Sequence, residues 1–220
     1  MRTIIRVAIA LLVAYAGWVA STWLSYGRTR REHTGDPAIA GFMPDYEVRV
    51  EHRVSVSVPA DVAMQAVRNA NVEASPLVRL LFNARAVFMG ARPRAAANPL
   101  AFVAQMQALG WAMLADDDRR IILGTVTKPW EAEVVFRRVE PAEFAAFDEP
   151  GYAKIVVALD VEEREPARSI VRTETRVVTT DSQAREKFRA YWATILPGVL
   201  LVLLVLLSLV KRDAENLARQ

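Results

Sequence analysis

The chain has 220 residues, of which 28 are lysine or arginine and 25 are aspartate or glutamate, and it contains no cysteine. No basic run is long enough to follow a nucleic-acid backbone, and acids are mixed with the basic residues, so nucleic acid is not expected as a partner. Without cysteine the chain has neither a disulfide nor a thiolate nucleophile. No spacing of histidines and carboxylates predicts a metal site, and no motif predicts a cofactor.

An uncharged apolar segment covers residues 7–24, near the N-terminus. About 18 helical residues at roughly 1.5 Å each reach about 27 Å, close to the thickness of the hydrocarbon core of a membrane. Arg2 and Arg6 precede the segment, so a cleaved signal peptide is the alternative to a retained anchor. We predict a transmembrane helix or signal anchor over residues 1–26 and a linker over residues 27–45.

A soluble domain is predicted over residues 46–194, and its first strand is the clearest element of the chain. Residues 46–58 alternate apolar and polar side chains, which indicates a strand with one buried face and one wet face. His52 falls on the buried face, between Val50 and Val54.

Helices and strands follow in an order that can be taken from capping residues and periodicity. Helices are predicted at 61–70, 75–84 and 98–108. The second begins at Ser75 and Pro76, and its apolar stripe consists of Leu77, Leu80, Leu81 and Ala84. Strands are predicted at 110–115, 119–127, 132–138, 152–162 and 169–179. A capping box at 180–183 begins a long final helix.

The final helix contains the second uncharged apolar stretch, over residues 191–210, which Lys211 and Arg212 close. About 20 apolar residues are enough to span a bilayer. We predict a C-terminal transmembrane helix over residues 195–212 and a polar tail over 213–220. A helix buried in the domain is the alternative.

This order predicts an α+β domain with its helices on one side of an antiparallel sheet. It is similar to the helix-grip superfamily, the START-like group (SRPBCC) that includes polyketide cyclase/dehydrase and lipid-transfer proteins. Three stretches resemble a bacterial branch of that superfamily: GWAMLADDDRRIILGTVTKPW (110–130), EPGYAKIVVAL (149–159) and TETRVVTTDSQAREKFRAYW (173–192). The resemblance implies a curved sheet wrapped on the C-terminal helix, with a cavity between them.

Six residues are candidates for lining such a cavity: His52, Trp111, Trp130, Tyr152, Glu174 and Arg176. Each has a plainer alternative. A lone histidine on a core face is more often a packing residue, and aromatic rings fill cores. The charges at 174 and 176 can form a solvated ladder with cross-strand partners such as Lys154 and Asp160. No catalytic residue is assigned from the sequence.

Together these observations predict a membrane-anchored, non-enzymatic START-like domain that binds an apolar small molecule or lipid. One alternative is a cyclase/dehydrase-like enzyme with His52 or Glu174 as general acid or base, and another is a structural or interaction protein with a filled core. The bilayer is the expected partner, and the sequence identifies no protein partner. We expect two spans in a bacterial inner membrane, with the domain on the exoplasmic side, because long domains translocate largely regardless of charge.

Overall fold

The computed structural model describes residues 2–26, 30–31, 36–93 and 98–219, and it contains helices on both faces of one main sheet. The helices are α1 (Arg2–Ser25), α2 (Pro37–Phe42), α3 (Ala60–Asn69), α4 (Pro76–Phe88), α5 (Phe102–Ala108), α6 (Pro141–Phe144) and α7 (Ser182–Leu217). The strands are β1 (Arg30–Arg31), β2 (Asp45–Tyr46), β3 (Val48–Val56), β4 (Ala112–Asp116), β5 (Arg120–Thr127), β6 (Phe136–Arg137), β7 (Ala153–Glu165) and β8 (Arg168–Thr179).

Six of these strands form an antiparallel sheet in the order β3-β8-β7-β5-β4, with β6 paired to β5. The alternation predicted for the first strand is confirmed in β3, and its register places His52 opposite Thr173 of β8. Because side chains alternate along a strand, His52 and Thr173 share one face, here called the inner face. Arg49 and Glu174, which lie on the other face, define the outer face.

The inner face is covered by α3, α5 and α7. Side chains of these helices and of the sheet together form the largest buried cluster. This layer contains the segment that was predicted to cross a membrane as the C-terminal span. One side of α7 is buried in the domain core through Leu206, Leu207, Val210 and Ala214.

The opposite side of α7 is open, with Leu204 49% exposed. Among the described residues α7 is the helix that is long and apolar enough to cross a membrane. Two flanking transmembrane helices are not shown by the structure. An apolar helix can lie in a protein core or in a bilayer, so composition alone could not decide between a buried helix and a transmembrane helix.

Residues 36–46 cover the outer face, although the sequence analysis assigned residues 27–45 to a linker. Asp36 caps α2 by accepting a hydrogen bond from the backbone N–H of Ala38 at 3.1 Å, and Pro37 follows at the first helical position. Ile39 and Met43 are then buried against β5 and β7. The remainder of the predicted linker, apart from residues 30–31, lies outside the described residues.

Helix α1 contacts the first half of α7. The hydroxyl of Tyr15 donates to the carbonyl oxygen of Thr194 at 2.9 Å, and Arg189 Nε donates to that of Trp23 at 2.8 Å. The Arg189 guanidinium also lies 4.5 Å from the Trp23 ring centroid. The second half of α1, from Tyr15 to Trp23, therefore lies beside residues 189–194.

Candidate functional site

The inner face carries a pair of polar side chains that the rest of the domain leaves unpaired. His52 and Thr173 are cross-strand neighbours on β3 and β8. His52 Nδ1 and Thr173 Oγ1 are both buried, and neither has a hydrogen-bond partner among the described residues. A buried polar atom without a partner costs about 1–3 kcal/mol, so such atoms are uncommon and each calls for an explanation, such as a bound water or a ligand.

The two groups differ in what they can do. The Thr173 side chain is almost fully enclosed, at 1% exposure, and its hydroxyl can both donate and accept a hydrogen bond. His52 is partly exposed, and its imidazole has two ring nitrogens that can each donate or accept a hydrogen bond or a proton. The pair therefore offers one positioning hydrogen bond and one proton-transfer group on a face that is mainly apolar but also carries Thr175 and Thr125.

The two candidate tryptophans, Trp111 and Trp130, also lie on the inner side of the sheet, but far from each other along it. Trp111 is buried, and its Nε1 has no hydrogen-bond partner among the described residues. It precedes β4, at the opposite edge of the sheet from His52. Trp130 is partly buried in the cluster that includes Val50 and the beginning of α7. Trp130 is therefore nearer to β3, the strand of His52.

Glu174 and Arg176 lie on the outer face, away from His52. Arg176 Nε donates to Glu174 Oε1 at 2.6 Å, Arg49 Nε donates to the same oxygen at 2.9 Å, and Arg176 Nη1 donates to the carbonyl oxygen of Met43 at 3.2 Å. Burial raises the pKa of Glu174, but the hydrogen bonds from Arg49 and Arg176 outweigh it and hold that pKa below its ordinary value. A carboxylate held ionised in this way is a poor general acid or base at neutral pH.

Glu174 and Arg176 were expected to form a solvated ladder of charges with cross-strand partners. In the structure they belong to an ionic network that is largely buried. Asp160 does serve as a partner, accepting from Arg172 at 2.9 Å and also from Arg120. Asp36 bridges the same two arginines. Lys154 donates instead to the carbonyl oxygen of Ala145 at 2.8 Å, and burial lowers its pKa. The network is shielded from solvent because residues 36–46 fold over it. In the sequence, Asp36 followed by Pro37 is a helix start, and this pair could have indicated that the segment is ordered.

Tyr152 belongs to the outer side as well. Its ring meets Phe147 edge to face at 5.9 Å, and Lys128 Nζ lies 4.7 Å from its centroid. Among the described residues there is no group of three or more histidines and carboxylates that could hold a metal ion. Two surface pockets, of about 370 and 440 Å³, are lined chiefly by charged residues near Arg120 and by residues around α6, respectively.

Comparison with known proteins gives matches among solved structures. No family model and no curated protein matches the chain. The Zhui aromatase/cyclase from Streptomyces sp. R1128 is 13% identical, with 76% of this chain and 93% of that chain covered and a TM-score of 0.31. Protein jhp0584 from Helicobacter pylori is 10% identical, with 86% and 99% covered and a TM-score of 0.39. The di-domain aromatase/cyclase BexL is 15% identical, with 76% and 46% covered and a TM-score of 0.30.

The expectation that the protein is not an enzyme is corrected by these matches, since two of the three structures are aromatase/cyclases. The likeness is one of fold, so any chemistry has to be argued from this chain's own residues. The antiparallel sheet packs on a long C-terminal helix, which is the arrangement that the sequence resemblance implied.

Proposed function

We propose that the protein acts on a small, mostly apolar molecule held against the inner face of its sheet, with His52 as general acid or base and Thr173 as the positioning hydrogen-bond partner. The observation that carries this proposal is the pair of buried polar atoms, His52 Nδ1 and Thr173 Oγ1, that have no partner among the described residues. A molecule with one oxygen or nitrogen atom near β3 and β8 would satisfy both.

The substrate class follows from the surroundings of the pair. Val171, Leu159 and Val157 lie near Thr173 on the inner face, and they are buried apolar residues. A molecule admitted between the sheet and α7 would meet these apolar side chains, which favour an apolar body, while the two polar atoms would fix one end of it. Of the two residues proposed from the sequence for acid or base chemistry, His52 is favoured over Glu174, which is engaged by Arg49 and Arg176.

We also propose that α1 attaches this domain to the bacterial inner membrane, with the domain on the exoplasmic side. The uncharged segment 7–24 is long enough to span, and Ile9, Val13, Trp18 and Leu24 are exposed on it. In this proposal the beginning of α7 lies beside α1 at the membrane, because Thr194 and Arg189 contact Tyr15 and Trp23. The second half of α7 stays in the domain, where Leu206, Leu207 and Val210 complete the core. Apolar substrates concentrate in bilayers, so attachment would place the inner face near its supply.

The test is to extract full-length protein in detergent, wash it, and measure by mass spectrometry any small molecule retained per chain. We expect a retained molecule in the wild type and a roughly tenfold loss of occupancy in His52→Leu, since a lost hydrogen bond of about 1.4 kcal/mol is worth a factor of ten. Ser55→Val is the matched control, because Ser55 lies on the same strand but is exposed. An empty wild-type protein, or equal occupancy in all three, would instead support a structural role with a filled core.

A further inference from the structure

Helix α4 has an apolar stripe that faces away from the domain. The helical spacing predicted for Leu77, Leu80 and Ala84 is present, but these side chains are exposed. Val87 and Phe88 continue the stripe by a further turn, and the exposed fractions of Leu80 and Phe88 are 64% and 69%. Val78 is the buried residue of the helix. A soluble domain rarely leaves so many large apolar side chains of one helix uncovered, so the stripe has the character of an interaction surface.

The sequence segment that contains α4 carries charges of one sign. Residues 74–115 contain no aspartate or glutamate, and they contain four arginines: Arg79, Arg85, Arg92 and Arg94. Elsewhere in the chain acids and bases are close to balanced. An apolar helical stripe in a segment whose own charges are all positive is the pattern of a helix that lies in the surface of an anionic membrane.

The position of α4 fits the same partner. Arg85 Nε donates to the hydroxyl of Tyr191 at 3.3 Å, and Arg85 Nη2 donates to the carbonyl oxygen of Pro129 at 2.9 Å. These bonds place α4 beside the segment of α7 that α1 also contacts, at residues 189–194. The proposed anchor and α4 therefore lie next to the same part of α7.

We propose that α4 docks on the surface of an anionic phospholipid bilayer, with the stripe of Leu77, Leu80, Ala84, Val87 and Phe88 inserted at the level of the headgroups and the first acyl carbons. Arg92, which is exposed just beyond the C-terminal end of α4, contacts lipid phosphates. This contact adds to the attachment through α1 and fixes the orientation of the domain on the membrane. It is independent of the inner-face site.

The test uses the full chain, which has no cysteine of its own, reconstituted in phosphatidylcholine vesicles with or without phosphatidylglycerol. A single cysteine replaces Ala84 and carries an environment-sensitive fluorophore, and the matched label replaces Ser57, an exposed residue beyond β3. Nitroxide lipids with a shallow spin label should quench the label at position 84 at least twofold more than the label at position 57. Phosphatidylglycerol should increase the difference.

Two further variants separate docking from folding and from anchoring. Leu80→Asp combined with Phe88→Asp should abolish quenching at position 84 while leaving the melting temperature unchanged, because both side chains are exposed. Arg92→Glu should remove the effect of phosphatidylglycerol, whereas Arg164→Glu, an equal charge change on the exposed β7–β8 hairpin, should not.

Three results would overturn the proposal. The first is equal quenching at positions 84 and 57 in protein that co-floats with vesicles in a density gradient. This would show that the chain is anchored in the membrane but that α4 does not dock on it. The second is quenching at position 84 that persists in the double aspartate variant. The third is energy transfer between labels at position 84 on different chains, without lipid quenching, which would show that the stripe pairs with a second copy.

Discussion

Leu206 and Leu204 lie two residues apart on α7 and test where the C-terminal apolar segment lies. Leu206 is 2% exposed and packs in the core cluster with α3, whereas Leu204 is 49% exposed on the opposite side of the helix. Truncation of a buried leucine to alanine removes its burial and leaves a cavity, at a cost of about 3 kcal/mol. For a domain of this size that loss lowers the melting temperature by roughly 6–12 °C. The Leu204→Ala change should stay within about 0.5 kcal/mol.

The assay is thermal unfolding of the two full-length variants and the wild type in the same mild detergent, followed by circular dichroism of the sheet. A large shift for Leu206→Ala with almost none for Leu204→Ala would confirm that α7 packs in the domain. If residues 195–212 were surrounded by lipid or detergent on all sides, both leucines would be equivalent. Equal and small shifts for the two variants would therefore refute the packing.

Three further predictions concern the ionic network and the topology. Arg49→Ser should destabilise the domain by about 1–2 kcal/mol in urea unfolding, because it removes one partner of the buried Glu174 carboxylate, whereas the more exposed Arg53→Ser should be nearly neutral; equal effects would refute the network. The pKa of Glu174 lies below its ordinary value of 4.5 in the folded chain, so its stabilising contribution is complete above about pH 5 and is lost as the pH falls through the folded pKa; Glu174→Gln should flatten that acid limb of the stability curve, and an unchanged limb would contradict the assignment. Single cysteines at Ser57 and Arg219 should both react with a membrane-impermeant maleimide in intact cells; labelling of only one would show that α7 crosses the bilayer, and labelling of neither would place the domain in the cytoplasm.

The strand that carries His52 could be predicted from the sequence because the signal is local. Side chains alternate along β3, so the face of each residue follows from its parity once one face is apolar. Residues 46–58 alternate throughout, and the structure places His52 on the apolar face beside Thr173. Thr173 itself was not identified as a site residue, because its unpaired hydroxyl depends on what the neighbouring strands and α7 present to it.

The position of the charged pair Glu174 and Arg176 could not be predicted from the strand alone. Alternation assigned both to the face opposite Thr173, which is where they lie. Whether that face is wet depends on a segment far away in sequence. Met43 and Tyr46 cover it, and they belong to a segment whose breaker residues suggested a linker. The same holds for helix α4. Its periodicity predicted the apolar stripe but could not predict what the stripe contacts.

The most direct test of the inner-face site is a pair of measurements on Thr173→Val, a substitution of nearly the same shape that removes the unpaired hydroxyl. If Thr173 Oγ1 is kept for a ligand, its removal should raise the melting temperature of the ligand-free protein, because an unsatisfied buried group that costs about 1–3 kcal/mol is lost. The same change should lower the small molecule retained per chain about tenfold, measured by mass spectrometry of washed, detergent-extracted protein. A more stable variant that binds less is the predicted result. A variant that retains as much of the molecule as the wild type, or a wild type that retains none, would contradict the proposed site.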